Sequence, residues 1–169
     1  VLSVLRGGPT ALRIGKNVKE MERLVAASFG KRRGVMVNSG SSALYLAVEL
    51  LGLEPGDEII TSSVTFSTDI APMIRAGIVP VFVDVEPDTY QIDVAQIESA
   101  IGPRTKAIML AHTLGNPFNL EVITRLCREN DLWLIEDCCD ALGSTYHLPP
   151  SPLAGEGRGE GGSPASNSP

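Results

Sequence analysis

From about residue 17 the apolar positions of this chain alternate between two rhythms. Val18, Met21, Leu24, Val25 and Phe29 recur at helical spacing, with Gly30 as a stop. A short unbroken apolar run at Val35-Met36-Val37-Asn38 reads as a strand, followed by a helix over Ser42–Leu51 that Gly52 ends. Beyond the turn Pro55-Gly56-Asp57 the alternation continues with strand Glu58–Thr61, helix Ser67–Ala76 and strand Val79–Val83, whose Pro80 points to a first or edge position. Asp93 caps a helix over Val94–Ile101, and strand Lys106–Ala111 and helix Leu120–Asn130 follow. A last strand over Leu132–Ile135 is expected to be buried and to carry Glu136 and Asp137 at its tip.

These strands are continuous apolar runs and not alternating ones, as expected when helices cover both faces of a mostly parallel sheet. Five strands linked by helical crossovers predict an α/β layered domain. After Tyr146 the pattern stops. Leu148-Pro149-Pro150-Ser151-Pro152 and the Gly/Glu/Arg run from Gly155 to Gly162 hold almost no apolar residue and cannot offset the entropy of ordering. The expected organisation is an arm over residues 1–16, one domain over 17–146, and a disordered tail over 147–169 that reads as non-native sequence. The start at Val1, without Met, reads as a shortened front.

Composition narrows the options. At 169 residues, 43% hydrophobic and 20% charged, the chain suits one globular domain. A net charge of −6 argues against nucleic acid or an anionic membrane as partner. No apolar run approaches the roughly 20 residues of a membrane span, and the apolar start is too short for a secretory signal. Cys127, Cys138 and Cys139 form no even-numbered disulfide set and fit a reducing cytoplasm.

Candidate chemistry gathers after strand ends. Ser39-Gly40-Ser41-Ser42 opens a helix, where unpaired N–H groups and the dipole favour an anion, although a plain Ser cap explains the pattern equally well. No Lys follows, which excludes a Walker-type loop. Asp137 ends a strand where open α/β sheets take ligands, and such an acid would keep a pyridine-type nitrogen protonated; the alternative is a cap or surface turn. Phe66 suits stacking on a flat ring or a place in the core. His112 reads more readily as a hydrogen-bonded structural residue than as a catalyst.

Several segments carry a family resemblance: Asn38-Ser39-Gly40-Ser41-Ser42-Ala43-Leu44, Thr65-Phe66, Pro80 to Val85, His112-Thr113-Leu114-Gly115, and Glu136-Asp137 through Gly143. In order and spacing, over residues 10–146, they resemble the DegT/DnrJ/EryC1/StrS family of pyridoxal-phosphate-dependent nucleotide-sugar aminotransferases and dehydrases. The resemblance implies the front of an aspartate aminotransferase-type large domain. It also implies that Gly40, Ser41 and Ser42 hold the cofactor phosphate, Phe66 stacks on its ring, Asp137 pairs with the ring nitrogen and Asp140 lies near the ring hydroxyl. Family members place a Schiff-base Lys further on; the only lysines here, Lys16, Lys19, Lys31 and Lys106, match no such position.

Ala111 to Phe118 and Glu136 to Gly143 look most like the CDP-4-keto-6-deoxyhexose 3-dehydrases of lipopolysaccharide O-antigen synthesis. That branch replaces the Lys with a His, uses pyridoxamine phosphate, and couples to an iron–sulfur centre and a reductase. The resemblance offers Cys139 as one cluster ligand, and implies a nucleotide-sugar substrate and a homodimer. The expectation is thus a shortened 3-dehydrase without turnover. A sugar aminotransferase that has lost its Lys, or a non-catalytic remnant, stays open beside it.

Overall fold

The computed structural model describes residue 6 and residues 15–147. The expected arm, apart from Arg6, Gly15 and Lys16, and the expected tail beyond His147 lie outside the described residues. The elements run α1 Lys16–Ser28, α2 Gly40–Leu50, β1 Glu58–Ser62, α3 Ser67–Arg75, β2 Val79–Val83, α4 Val94–Ala100, β3 Thr105–Ala111, α5 Leu120–Glu129 and β4 Trp133–Asp137. A single 3-10 turn, Thr113–Gly115, follows β3.

The four strands form one parallel sheet in the order β2-β1-β3-β4. Side-chain alternation along each strand sorts the interior into two layers. Ile60, Val83, Ile108 and Leu110 pack with Ile97, Phe118, Ile123 and Leu126 beneath α4 and α5. Ile59, Ala107 and Met109 face the other way and pack with Leu44, Val48, Met73 and Ile78 beneath α2 and α3. Each fully buried Ile or Met contributes roughly 1.5–3 kcal/mol of transfer free energy. The central strands β1 and β3 read as unbroken apolar runs because both of their faces are covered.

Three expectations need correction. Val35–Asn38 forms no strand: Val35 is 79% exposed, and the Met36 N–H donates to Glu22 Oε1 at 2.8 Å instead of to a ladder. An apolar run becomes a strand only when a neighbour offers free backbone groups, and no described strand lies beside this one. The segment is held instead against α1, so closely that a Cβ on Gly34 would meet the Glu22 carbonyl oxygen at 2.6 Å. The sheet therefore has four described strands and not five. Lastly, β4 is not buried. It pairs only with β3, and Trp133 at its start is 61% exposed.

The remaining elements form as expected, with bounds shifted by a residue or two at their ends. Pro80 stands on β2, which pairs only with β1 and so is an edge where a missing N–H costs nothing. Asp93 caps α4 by accepting from the Ala95 N–H at 3.0 Å. The apolar stripe of α1 has the anticipated spacing, but Met21, Leu24, Val25 and Phe29 stand exposed and only Ala26 is buried.

Candidate functional site

From β1 the chain steps to β2 on one side and then to β3 on the other, so the strand order reverses between β1 and β3. The crevice outside the carboxyl ends at such a reversal is where open α/β sheets take ligands. The segments after β1, β3 and β4 all emerge there. The start of α2 joins them, because Ser41 and Ser42 line one groove with Thr68 at the start of α3.

At the α2 end, Ser39 has extended backbone (φ −161°, ψ 160°) and its Oγ accepts from the Ser42 N–H at 3.2 Å. The Ser cap is therefore present. Ser42's amide is committed to the cap, while the first-turn N–H groups of Gly40 and Ser41 have no acceptor within the helix. The adjoining groove, ≈ 310 Å³, is also lined by Tyr45, Pro72 and Arg75. The Arg75 guanidinium carbon lies 4.8 Å from the Tyr45 ring centroid, adding a fixed cation to the hydroxyls of Ser41, Ser42 and Thr68.

At the β4 end, Asp137 stands level with Ala111, the last residue of β3. Its carbonyl accepts from the His112 N–H at 3.0 Å, and its Oδ1 accepts from the Cys139 N–H at 2.9 Å. This turn aims the carboxylate and ties it to the loop that follows. Asp140 Oδ2 accepts from the Leu114 N–H at 3.3 Å, clasping the β3 and β4 loops together. Leu114 adopts a left-handed conformation (φ 56°), a strain that clusters at functional loops. Phe66 caps the start of α3 and is 72% exposed, so it has no place in the core and its ring is free to stack.

Asp69, which carries no distinguishing signal in the sequence, is buried in the first turn of α3. It is 1% exposed; its Oδ2 accepts from the Thr65 hydroxyl, and its Oδ1 has no hydrogen-bond partner. Burial pushes its carboxyl above the ordinary range, the Thr65 hydroxyl opposes this, and the charge of Asp137 raises it further. In sequence Asp69 is merely an acid in the first turn of a helix, indistinguishable from one placed there for the dipole.

On the other face of β4, His112 is 6% exposed and stacks on Phe118 with centroids 4.3 Å apart and rings 5° from parallel. Its Nε2 lies 3.1 Å from Glu136 Oε2, a hydrogen bond that, with burial working against it, holds the Glu136 carboxyl below its usual range. His112 is thus buried and hydrogen-bonded, the environment its isolation implied. Cys138 is half-buried on the same face, and donor atoms of His112, Glu136 and Cys138 lie within 4.8 Å of one another. A metal on Nε2 would force the ring proton onto Nδ1, which is buried with no acceptor, so the His–Glu hydrogen bond is the better use of this cluster.

Cys139 is exposed beside Asp137. Partial burial of its sulfur, then the hydrogen bond and charge of Asp137 and the charge of Asp140, push its thiol up to about 11. An iron–sulfur cluster needs several thiolates. Among the described residues Cys127 is locked in the core and only Cys138 stands next to Cys139, so these residues do not bring a full ligand set together.

A sequence profile described as the DegT/DnrJ/EryC1/StrS aminotransferase family matches residues 1–160. The chain belongs to this family. Within it, a dTDP-4-dehydro-2,6-dideoxy-D-glucose 3-dehydratase of Saccharopolyspora spinosa is 49% identical over 140 residues, covering 78% of this chain and 30% of that protein. The lipopolysaccharide biosynthesis protein RfbH of Salmonella typhimurium is 46% identical over 143 residues, covering 80% and 33%. Among solved structures, the E. coli GDP-4-keto-6-deoxy-D-mannose-3-dehydratase with bound hydrated PLP aligns with a TM-score of 0.80 at 36% identity, covering 86% of this chain and 38% of that one. The chain spans about a third of the length of these relatives. Its fold is the N-terminal part of the aspartate aminotransferase-type large domain.

The donor set suits pyridoxal phosphate at both ends. Free N–H groups and hydroxyls at α2 match a phosphate, and the Asp137 carboxylate matches a protonated ring nitrogen.

Proposed function

We propose that this chain forms the cofactor-holding part of a vitamin B6-dependent nucleotide-sugar 3-dehydratase, acting on a 4-keto-6-deoxyhexose nucleotide in deoxysugar or O-antigen synthesis. One observation carries the reading: the anion seat of α2, the bare face of Phe66 and the Asp137 carboxylate all stand at the edge where the strand order reverses. The 3-dehydratase names of the Saccharopolyspora and E. coli relatives supply the reaction class.

Gly40 and Ser41 would seat the phosphate through backbone N–H groups, with hydroxyls of Ser41 and Ser42 completing it. Phe66 would cover one ring face and exclude water from it. Asp137 would fix the ring nitrogen in its protonated form, and Asp140 would stand toward the ring hydroxyl. When bound, the cofactor supplies an electron sink for proton removal beside the sugar carbonyl. The proton-transfer residue is a Lys or His at the same edge. His112 is committed to Glu136, Lys106 lies near the start of β3 at the opposite edge, and Lys31 lines a groove with Glu136 and Cys138, away from the Asp137 face. The 169-residue chain alone is therefore proposed to hold cofactor without turning sugar over.

The test is an absorbance titration of the full chain with pyridoxal phosphate. The expected result is a saturable spectral change that Asp137→Ala abolishes. A flat titration of folded wild-type chain overturns the reading, and sugar dehydration by the chain alone overturns the inactivity. A sugar aminotransferase remains the second reading, favoured by the family's description and by aminotransferase structures of comparable similarity, with TM-scores of 0.75–0.79. Transfer of an amino group, measured in a complete enzyme built on this segment, separates the two.

A further inference from the structure

We infer that Gln91 is a positioning residue for Asp140. Its buried carboxamide clamps the turn after β3 in a left-handed form, and the Leu114 N–H of that turn holds the Asp140 carboxylate. What Asp140 does toward a cofactor rests on the reading above; the clamp itself rests on geometry. Gln91 lies on the loop between β2 and α4 and is 6% exposed. Its Nε2 donates to the Asn116 carbonyl at 2.7 Å and to the Thr113 carbonyl at 3.3 Å. Both partners are carbonyl oxygens, which only accept, so the amino end of the carboxamide faces them and supplies a proton to each. Between these two carbonyls stand Leu114 (φ 56°) and Gly115 (φ 77°), both left-handed. Glycine takes such a backbone freely, but leucine does not. One side chain thus grips both shoulders of a strained pair.

The clamp has a fixed base and a definite load. The Gln91 carbonyl accepts the Glu86 N–H at 2.9 Å, its own N–H donates to Thr89 Oγ1 at 3.2 Å, and its neighbour Ile92 bridges Val85. On the far side of the turn, the Leu114 N–H donates to Asp140 Oδ2 at 3.3 Å. A Cβ on Gly115 would meet the Asp140 carbonyl oxygen at 3.0 Å, so the turn and the loop after β4 are in contact. A turn that relaxed to ordinary backbone would swing the Leu114 amide off Asp140. Core packing does not explain the arrangement. The Leu114 side chain is 80% exposed, so no burial of its own offsets the strain, whereas the two hydrogen bonds from Gln91 do.

Amide hydrogen exchange on the full chain, resolved by NMR and without cofactor, tests the clamp. In the wild-type chain the Gln91 side-chain protons should exchange far more slowly than those of an exposed carboxamide; equal rates overturn the inference with no variant needed. Gln91→Met keeps the reach of the side chain and removes both donors. It should speed Leu114 N–H exchange roughly ten-fold, as for the loss of one or two hydrogen bonds, and leave the β3 and β4 amides unchanged. Asp140→Ala should speed the same amide. Leu114→Gly removes the strain, so adding Gln91→Met to it should change little at position 114. An unchanged Leu114 amide overturns the inference. A rise spread evenly over the sheet, or the same rise in the Leu114→Gly background, shows a merely structural glutamine and also overturns it. Pyridoxal phosphate titrations then read the consequence. Gln91→Met should weaken affinity roughly five-fold, the worth of one hydrogen bond, give the bound-state spectrum of Asp140→Ala, and be rescued by Leu114→Gly. Wild-type affinity and spectrum in Gln91→Met show that the clamp does not act on the site and sink the inference. If the wild-type chain takes up no pyridoxal phosphate while exchange behaves as expected, the cofactor reading fails and the clamp on Asp140 stands.

Discussion

Glu136 and Asp137 are consecutive residues of one strand, and the pleat sends them to opposite faces of the sheet. Glu136 follows Leu134 onto the α4/α5 face, where His112 answers it at 3.1 Å and holds its carboxyl low. Asp137 follows Ile135 onto the α2/α3 face, where a second acid, Asp69, has its own carboxyl pushed up. One face closes a polar pair with opposite partners and uses it to hold the loop ends together. The other leaves Asp69 without an opposite charge, and the charge of Asp137 adds to what burial does to its carboxyl. The difference separates a carboxylate closed in a pair from one without an opposite partner more sharply than either residue's type does.

Exchanging the two faces in single substitutions gives the largest effects. Asp137→Ala weakens pyridoxal phosphate binding by roughly 100-fold, since it strips the counter-ion from a cationic ring nitrogen. Its urea midpoint falls less than that of His112→Ala, because the side chain closes no core packing and gives up only the Cys139 N–H hydrogen bond. His112→Ala does the reverse. It removes a buried ring stacked on Phe118 and the partner of Glu136, and is expected to cost about 3 kcal/mol in urea unfolding. Cofactor affinity per folded molecule should hold. A folded His112→Ala chain that no longer binds pyridoxal phosphate would break the comparison outright.

Acid titration of stability comes next, with opposite signs on the two faces. The Glu136 carboxyl is lowered from its ordinary 4.5, so the stability it contributes is present above that value and lost as pH falls through its folded value. Glu136→Gln should flatten that part of the acid limb. Asp69 is raised from its ordinary 3.8, so the unfolded chain ionises first and stability falls as pH climbs from there toward the folded value. Asp69→Asn should remove this fall and leave the chain more stable at neutral pH than wild type. Parallel slopes for the two variants would mean that the faces do not differ in the way described.

The sequence carried most of this architecture, because covered parallel strands and their crossovers leave unbroken apolar runs between glycine stops. It carried Asp137, Phe66 and the Ser39–Ser42 turn as positions worth attention, since Asp137 ends β4, Phe66 follows β1 and the turn opens α2. Two things were not legible. Val35–Asn38 has the composition of a strand, but pairing depends on a neighbour that composition does not describe, and here Glu22 takes its backbone instead. Asp69 was invisible for a different reason: its meaning comes from an Asp 68 positions away across two crossovers, and nothing local distinguishes it from a first-turn acid. Trp133 misled in the same fashion, an aromatic strand opener that lies on the open edge of the sheet.

The smallest expected effect concerns the phosphate end. Ser39 Oγ accepts the Ser42 N–H at 3.2 Å and donates to Ser42 Oγ at 3.1 Å, so it serves the helix and not the groove. Ser39→Ala should therefore cost about 1 kcal/mol of stability as a lost cap. It should also free the Ser42 amide, adding a third first-turn N–H to those of Gly40 and Ser41. If the anion seat is built from backbone donors, cofactor affinity in Ser39→Ala holds or rises slightly, while stability falls. A loss of affinity larger than the loss of stability would mean that the Ser39 hydroxyl itself reaches the phosphate. The seat would then lie one residue earlier than the helix geometry places it.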